Sequence, residues 1–158
     1  MLAPLIVFVL TSGTLTGKIV GVQDGDTITL LTSDKVQHKI RLYGIDAPEG
    51  GQAFGRKSKS YLSGLVFDKT VTISLEDVDR YQRIVGRVSV AGRDVNLAVV
   101  EAGWAWWYRK YAPKDKKLRD AEERARLHRK GLWRDDSPIP PWEWRKPVPL
   151  RRIVRPYS

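Results

Sequence analysis

Two aspartates, a glutamate and two arginines lie where short strands and turns present side chains, and their types together suit the hydrolysis of a phosphodiester. Asp24-Gly25-Asp26-Thr27 is a turn that delivers Asp26 to the start of a strand. In Arg41-Leu42-Tyr43-Gly44-Ile45-Asp46, Arg41 takes the strand face opposite Ile40 and Leu42, and Asp46 stands where the strand ends. Ala47-Pro48-Glu49 adds a carboxylate three residues later on a rigid turn, and Asp79-Arg80-Tyr81-Gln82-Arg83 is a charged loop. Singly, each motif is more often structural: Asp24 and Asp79 suit turns, and Arg41 suits an ion pair across strands.

The combination meets three chemical requirements. A cation must bridge and polarise the phosphate. Two aspartates and a backbone carbonyl offer it hard oxygen ligands, and one pair of carboxylates suits one ion rather than two. A carboxylate must orient or deprotonate water, and Glu49 stands close to the metal set but outside it. Positive groups must hold the charge that grows on the phosphate oxygens, as Arg41 and Arg83 can do with paired N–H donors.

The elements that must position these residues are mostly strands. Lys18–Val22, Thr27–Leu31 and Val36–Tyr43 are joined by short turns and predict an antiparallel meander. The segment Thr11–Gly17 ahead of them has the composition of a linker. Gln52–Leu65 carries a helical stripe of Phe54, Ser58, Tyr61, Leu62 and Leu65. Thr70–Glu76 and Ile84–Val90 are a fourth and fifth strand. Asp94 caps a short helix through Glu101, and Asp115–Lys130 is a charged helix with Gly131 as its stop. The tail PIPPWEWRKPVP is too rich in proline for a helix and is expected to pack as an extended strap. The expected class is mainly β with α, a five-stranded OB-fold barrel with about three helices.

The 158 residues have room for one domain with short extensions. The divisions expected are an apolar segment 1–14, a barrel domain 15–136 and a Pro/Trp/Arg-rich tail 137–158. With no cysteine there is neither a disulfide nor a thiolate metal site, and with only two histidines a hard cation held by oxygen is the expected metal. The net charge of +10 is uneven. Residues 1–100 carry 12 Lys+Arg against 10 Asp+Glu, whereas 101–158 carry 16 against 8 together with all six tryptophans. Cations interleaved with aromatics suit a polyanion whose bases stack. MLAPLIVFVL at the N-terminus resembles the apolar core of a secretory signal peptide and is too short to span a bilayer as a helix. It predicts export, periplasmic or secreted, with a membrane anchor as the other form this segment can take.

The chain closely resembles the staphylococcal nuclease (thermonuclease) family. The resemblance is carried by VGVQDGDTITL, KIRLYGIDAPE, DRYQR, NLAVVEAGWAWWYRKYAP, AEERAR followed by KGLW, and PIPPWEWR, and runs from about Leu15 to Arg145. It implies an OB-fold barrel and Ca²⁺-dependent cleavage of DNA and RNA that leaves 3′-phosphate ends. By the same resemblance, Asp26 and Asp46 are metal carboxylates and Ala47 offers its backbone carbonyl. Glu49 is the general base, and Arg41 and Arg83 bind phosphate. Tyr81 and Tyr111 line the nucleotide pocket, and Arg109 stands near it in place of a tyrosine. Gln82 stands where glycine is usual, and Ala47 where the founding member has threonine. No stable protein partner is implied, and a monomer is expected. The alternatives are a non-catalytic OB-fold module that only grips nucleic acid, or a general polyanion binder acting through residues 101–158.

Overall fold

The computed structural model describes residues 13–147. Eight strands run in chain order: β1 (Thr14–Asp24), β2 (Thr27–Leu31), β3 (Gln37–Leu42), β4 (Ile45–Asp46), β5 (Thr70–Val78), β6 (Ile84–Val90), β7 (Arg93–Asp94) and β8 (Trp106–Trp107). Between and after them lie the helices α1 (Gly55–Val66), α2 (Val95–Glu101) and α3 (Lys116–Leu127), a 3-10 turn at Gly131–Arg134, and a single helical turn, α4 (Pro141–Trp144).

The expected meander is present. Antiparallel pairing joins β1 to β2 and β2 to β3, and β1 and β6 each pair with β5. A parallel seam between β3 and β6 (Ile40 opposite Ile84, Leu42 opposite Gly86) then closes the barrel. The result is a five-stranded OB-fold barrel in an α+β protein. Alternation sends Ile40 and Leu42 inward, both fully buried, beside Ile19, Ile28, Leu30 and Ile73. Closure pairs every barrel strand on both sides over part of its length, which shortens the edges open to edge-to-edge aggregation.

Several boundaries differ from expectation. The linker-like Thr14–Gly17 is part of β1, because its backbone pairs with Val71–Ser74 of β5. Gly17 is needed there, since a Cβ would lie 2.4 Å from the Leu31 carbonyl oxygen. The first helix starts at Gly55 rather than Gln52, because Phe54 adopts φ 67 and interrupts the helical path. The third helix stops at Leu127, where Arg129 turns left-handed (φ 51) ahead of Gly131. The proline-rich tail does contain a helical turn, with Pro141 at its first position, where a missing N–H costs nothing. Asp94 and Asp115 cap α2 and α3 through the amides of Leu97 and Leu118.

A second aromatic cluster lies apart from the barrel core: Trp106, Ala125, Leu132 and Trp133, with Phe54 and Trp142 against them. Trp106 and Trp107 diverge as strand alternation requires, Trp107 packing into the barrel core with Trp104 partly buried against it. Among the described residues, no helix is long and apolar enough to cross a membrane. The apolar start belongs to residues 1–12, outside the described residues, so the expectation of export has no structural counterpart here.

Candidate active site

One end of the barrel gathers four of the five residues singled out in the sequence. Asp26 ends the β1–β2 turn, and its backbone oxygen accepts from the Leu42 amide at 2.8 Å. This pins the turn to the end of β3, where Thr27 also pairs with Arg41. Gly25 makes the packing possible: a Cβ there would lie 1.8 Å from the Ser58 hydroxyl and 2.8 Å from the Ala47 Cβ. After β3, Gly44 turns left-handed (φ 74) and the chain enters β4, whose partner is β8 (Asp46 opposite Trp106). Asn96, wholly buried on α2, accepts from the Val88 amide and donates to the carbonyls of Tyr43 and Gly86. It therefore fixes the path of the chain just before Asp46.

The polar geometry is tight. Asp26 is 5% exposed and Asp46 is fully buried. Arg41 Nη2 lies 3.3 Å from Asp26 Oδ2 and 3.3 Å from Asp46 Oδ1, while its Nη1 donates to the Leu42 carbonyl at 2.8 Å. Asp26 also accepts from the Ala47 amide at 2.7 Å and the Thr27 hydroxyl at 3.0 Å. Burial pushes Asp26 toward protonation, but the Arg41 charge and these hydrogen bonds outweigh it and hold its carboxyl below the usual range. Asp24, whose carboxylate accepts from the Asp26 amide, is pushed up to about 7 by burial and by the neighbouring Asp26 charge. Burial also raises Asp46, against the hydrogen bonds from Arg145 and the Arg41 charge.

Arg145 is a member of this site that sequence reading did not single out. Its Nη1 donates to Glu49 Oε1 at 2.7 Å and to Asp46 Oδ1 at 3.2 Å, and its Nη2 donates to Asp46 Oδ2 at 2.6 Å. The signal was in the tail block PIPPWEWR, but nothing local to it names a partner 99 residues away. Trp142 sets the reach of the tail. It stacks on Tyr108 (5.4 Å, 4° between planes) and meets Trp106 edge-on at 5.5 Å. Gln52 adds a second tether by donating to the Ile139 carbonyl while it accepts from the Glu49 amide.

Arg83 stands outside the carboxylate network. It donates through Nε to Asp79 Oδ2 at 2.7 Å, and Asp79 also accepts from the amides of Tyr81 and Arg83. Gln82 makes this tight loop with a left-handed backbone, φ 64, the conformation that favours glycine. Tyr81 is exposed, with Arg80 and Arg83 over its ring at 5.0 and 5.3 Å. Tyr111 is exposed with Lys110 over its ring, and Arg109 lies 5.0 Å from the centre of the Trp107 ring. The ion pairs of Asp26 and Asp46 are made by Arg41 and Arg145, not by Tyr81, Tyr111 or Arg109.

The donor set fits a hard cation only in part. Asp26 and Asp46 both reach one guanidinium nitrogen, so their oxygens converge, and the Ala47 amide bond brings residue 47 against Asp26. Among the described residues, however, no three His, Asp or Glu side chains are grouped so as to hold an ion by themselves. Two carboxylates would need a backbone carbonyl and water to complete the shell, a mixture that suits Ca²⁺.

A family model described as staphylococcal nuclease homologue matches residues 39–135. A Haemophilus influenzae protein named an uncharacterized endonuclease is 44% identical over 131 residues, covering 83% of this chain and 73% of its own. Protein ParB of Escherichia coli is 40% identical (87% and 83% covered), and a micrococcal nuclease of Shigella flexneri is 39% identical (82% and 80%).

Proposed function

Since the chain belongs to the staphylococcal nuclease homologue family, we propose that it acts as a monomeric, metal-dependent phosphodiesterase that cleaves DNA and RNA with little sequence preference. The observation that carries this reading is the convergence of Asp26, Arg41, Asp46 and Glu49 at one barrel end. A single Ca²⁺ would be held by Asp26, Asp46 and the Ala47 carbonyl, and would supply positive charge at the phosphate. Glu49, partly exposed, takes a proton from the attacking water. Arg41 and Arg83 bind phosphate oxygens as negative charge develops. Breaking the bond to the 5′ oxygen leaves a 3′-phosphate.

Tyr81, Tyr111 and Arg109 contact the nucleotide in this reading. The strand continues into a groove of about 490 Å³ lined by Tyr43, the Arg87–Asp115 ion pair and Lys114, Lys116 and Lys117, with a net positive charge. The Tyr43 hydroxyl donates to the Tyr111 carbonyl at 3.3 Å, so the groove adjoins Tyr111. Export completes the reading and rests on the apolar segment 1–14, which N-terminal sequencing of the mature protein tests.

The deciding experiment is digestion of single-stranded DNA, duplex DNA and RNA, with Ca²⁺ and with chelator, followed by end-group analysis. Metal-dependent cleavage with 3′-phosphate ends is the expected result. Tight binding without cleavage would instead make the domain a nucleic-acid-binding module.

A further inference from the structure

We propose that Arg145 is a tethered cation of the active centre, holding Asp46 and Glu49 until a divalent ion displaces it, so that tail docking and metal binding compete. The inference rests on the metal-dependent reading above. Its guanidinium uses two nitrogens to occupy both oxygens of Asp46 and one of Glu49. Asp46 is wholly buried, so this guanidinium and Arg41 are the positive charges that offset its carboxylate. A divalent ion on the same oxygens would face that guanidinium at contact distance, and of the two arginines on Asp46 it is Arg145, 43% exposed against 14% for Arg41, that is free to withdraw.

The arm is built to leave without unfolding the barrel. Arg145 is itself 43% exposed at the side chain and stands at the end of α4, one helical turn long. The docking is nonetheless specific, because Trp142 is stacked on Tyr108 and edge-on to Trp106 within the second aromatic cluster. A site whose competent form is populated by the undocked tail alone binds its ion more weakly by that fraction. A tail docked nine times in ten lowers the apparent affinity about tenfold.

The test is calorimetric titration of the full chain with Ca²⁺, repeated with Mn²⁺, for wild type, Arg145→Gln and Trp142→Ala. Each variant is expected to bind the ion about tenfold tighter, the second because it loosens the arm while leaving Arg145 in place. In the wild type, saturating Ca²⁺ should also speed tryptic cleavage after Arg145 and change the tryptophan emission. Metal-free melting curves identify a variant that has not folded, and the other variant then decides. Equal or weaker binding by the folded variants overturns the competition alone. No binding by any form overturns it together with the metal-dependent reading.

Discussion

The Ala47 amide donates to Asp26 Oδ2 at 2.7 Å, across 21 residues of chain, and both groups are buried. One carboxylate thus shapes the backbone beside Asp46 while presenting charge to the same site. The two roles separate on substitution. Asp26→Asn keeps an oxygen acceptor for Ala47 but removes the charge, so cleavage should fall by about 100-fold or more while the fold persists. Asp26→Ala also leaves a buried N–H unpaired, which costs about 1–3 kcal/mol. Initial rates and urea melts of the two variants check this, and equal activity in Asp26→Asn would remove Asp26 from the metal set.

Glu49 tests the assignment of the base. Replacing it by Gln should lower kcat by about 10²–10⁴ and leave KM within a few-fold. A rise in KM with unchanged kcat would mean that Glu49 only grips the substrate.

The loop that carries Arg83 depends on a left-handed Gln82. A β-branched residue tolerates that conformation worst, so Gln82→Val should destabilise by about 1–2 kcal/mol and lower kcat/KM by loosening Arg83. Gln82→Gly should keep the rate and at least match the wild-type melting temperature. A rate loss in Gln82→Gly would show that the glutamine side chain itself matters.

The lysines of the groove are exposed and should act through phosphate charge. Replacing Lys114, Lys116 and Lys117 together by Ala should flatten the dependence of log binding constant on log salt by about 2 for a single strand. Cleavage of a dinucleotide should change little. An unchanged slope would place the strand elsewhere.

Acid stability should depend on Asp115, whose carboxylate accepts from Arg87 at 2.6 Å and caps α3 through the Leu118 amide. Burial pushes this carboxyl up, but the Arg87 hydrogen bond, the Leu118 amide and the Arg87 charge outweigh burial and hold it below its ordinary value of 3.8. A depressed acid stabilises the fold above the unfolded value, and that stability is lost as pH falls through the folded value. Asp115→Asn keeps an N-cap acceptor, so it should cost about 1 kcal/mol at neutral pH and almost nothing in strong acid. Urea melts at several pH values check the sign.

Local pattern made much of this structure legible. Alternation in Gln37–Leu42 sets which side chains enter the barrel, and Asp94 and Asp115 mark helix starts by chemistry confined to three residues. Asp26, Arg41 and Asp46 were legible because a turn and a strand end place them. Pairing across distance was not legible in the same way. Thr14–Gly17 looks like a linker until β5 supplies a partner, and Phe54 leaves its helical stripe to pack against Trp104 at 6.4 Å. Arg145 belongs to the same class: its role depends on where Tyr108 and Trp106 hold Trp142.

The parallel seam between β3 and β6 is made by segments far apart in the chain, with α1 and β5 in the sequence between them. Contacts of that kind form late, because loop closure is costly until the rest is ordered. Arg41 lies within this seam and Arg83 immediately before it, so the two arginines come to one seam only in the finished barrel. Their common place on the seam is thus a property of the closed barrel and of no shorter piece of the chain.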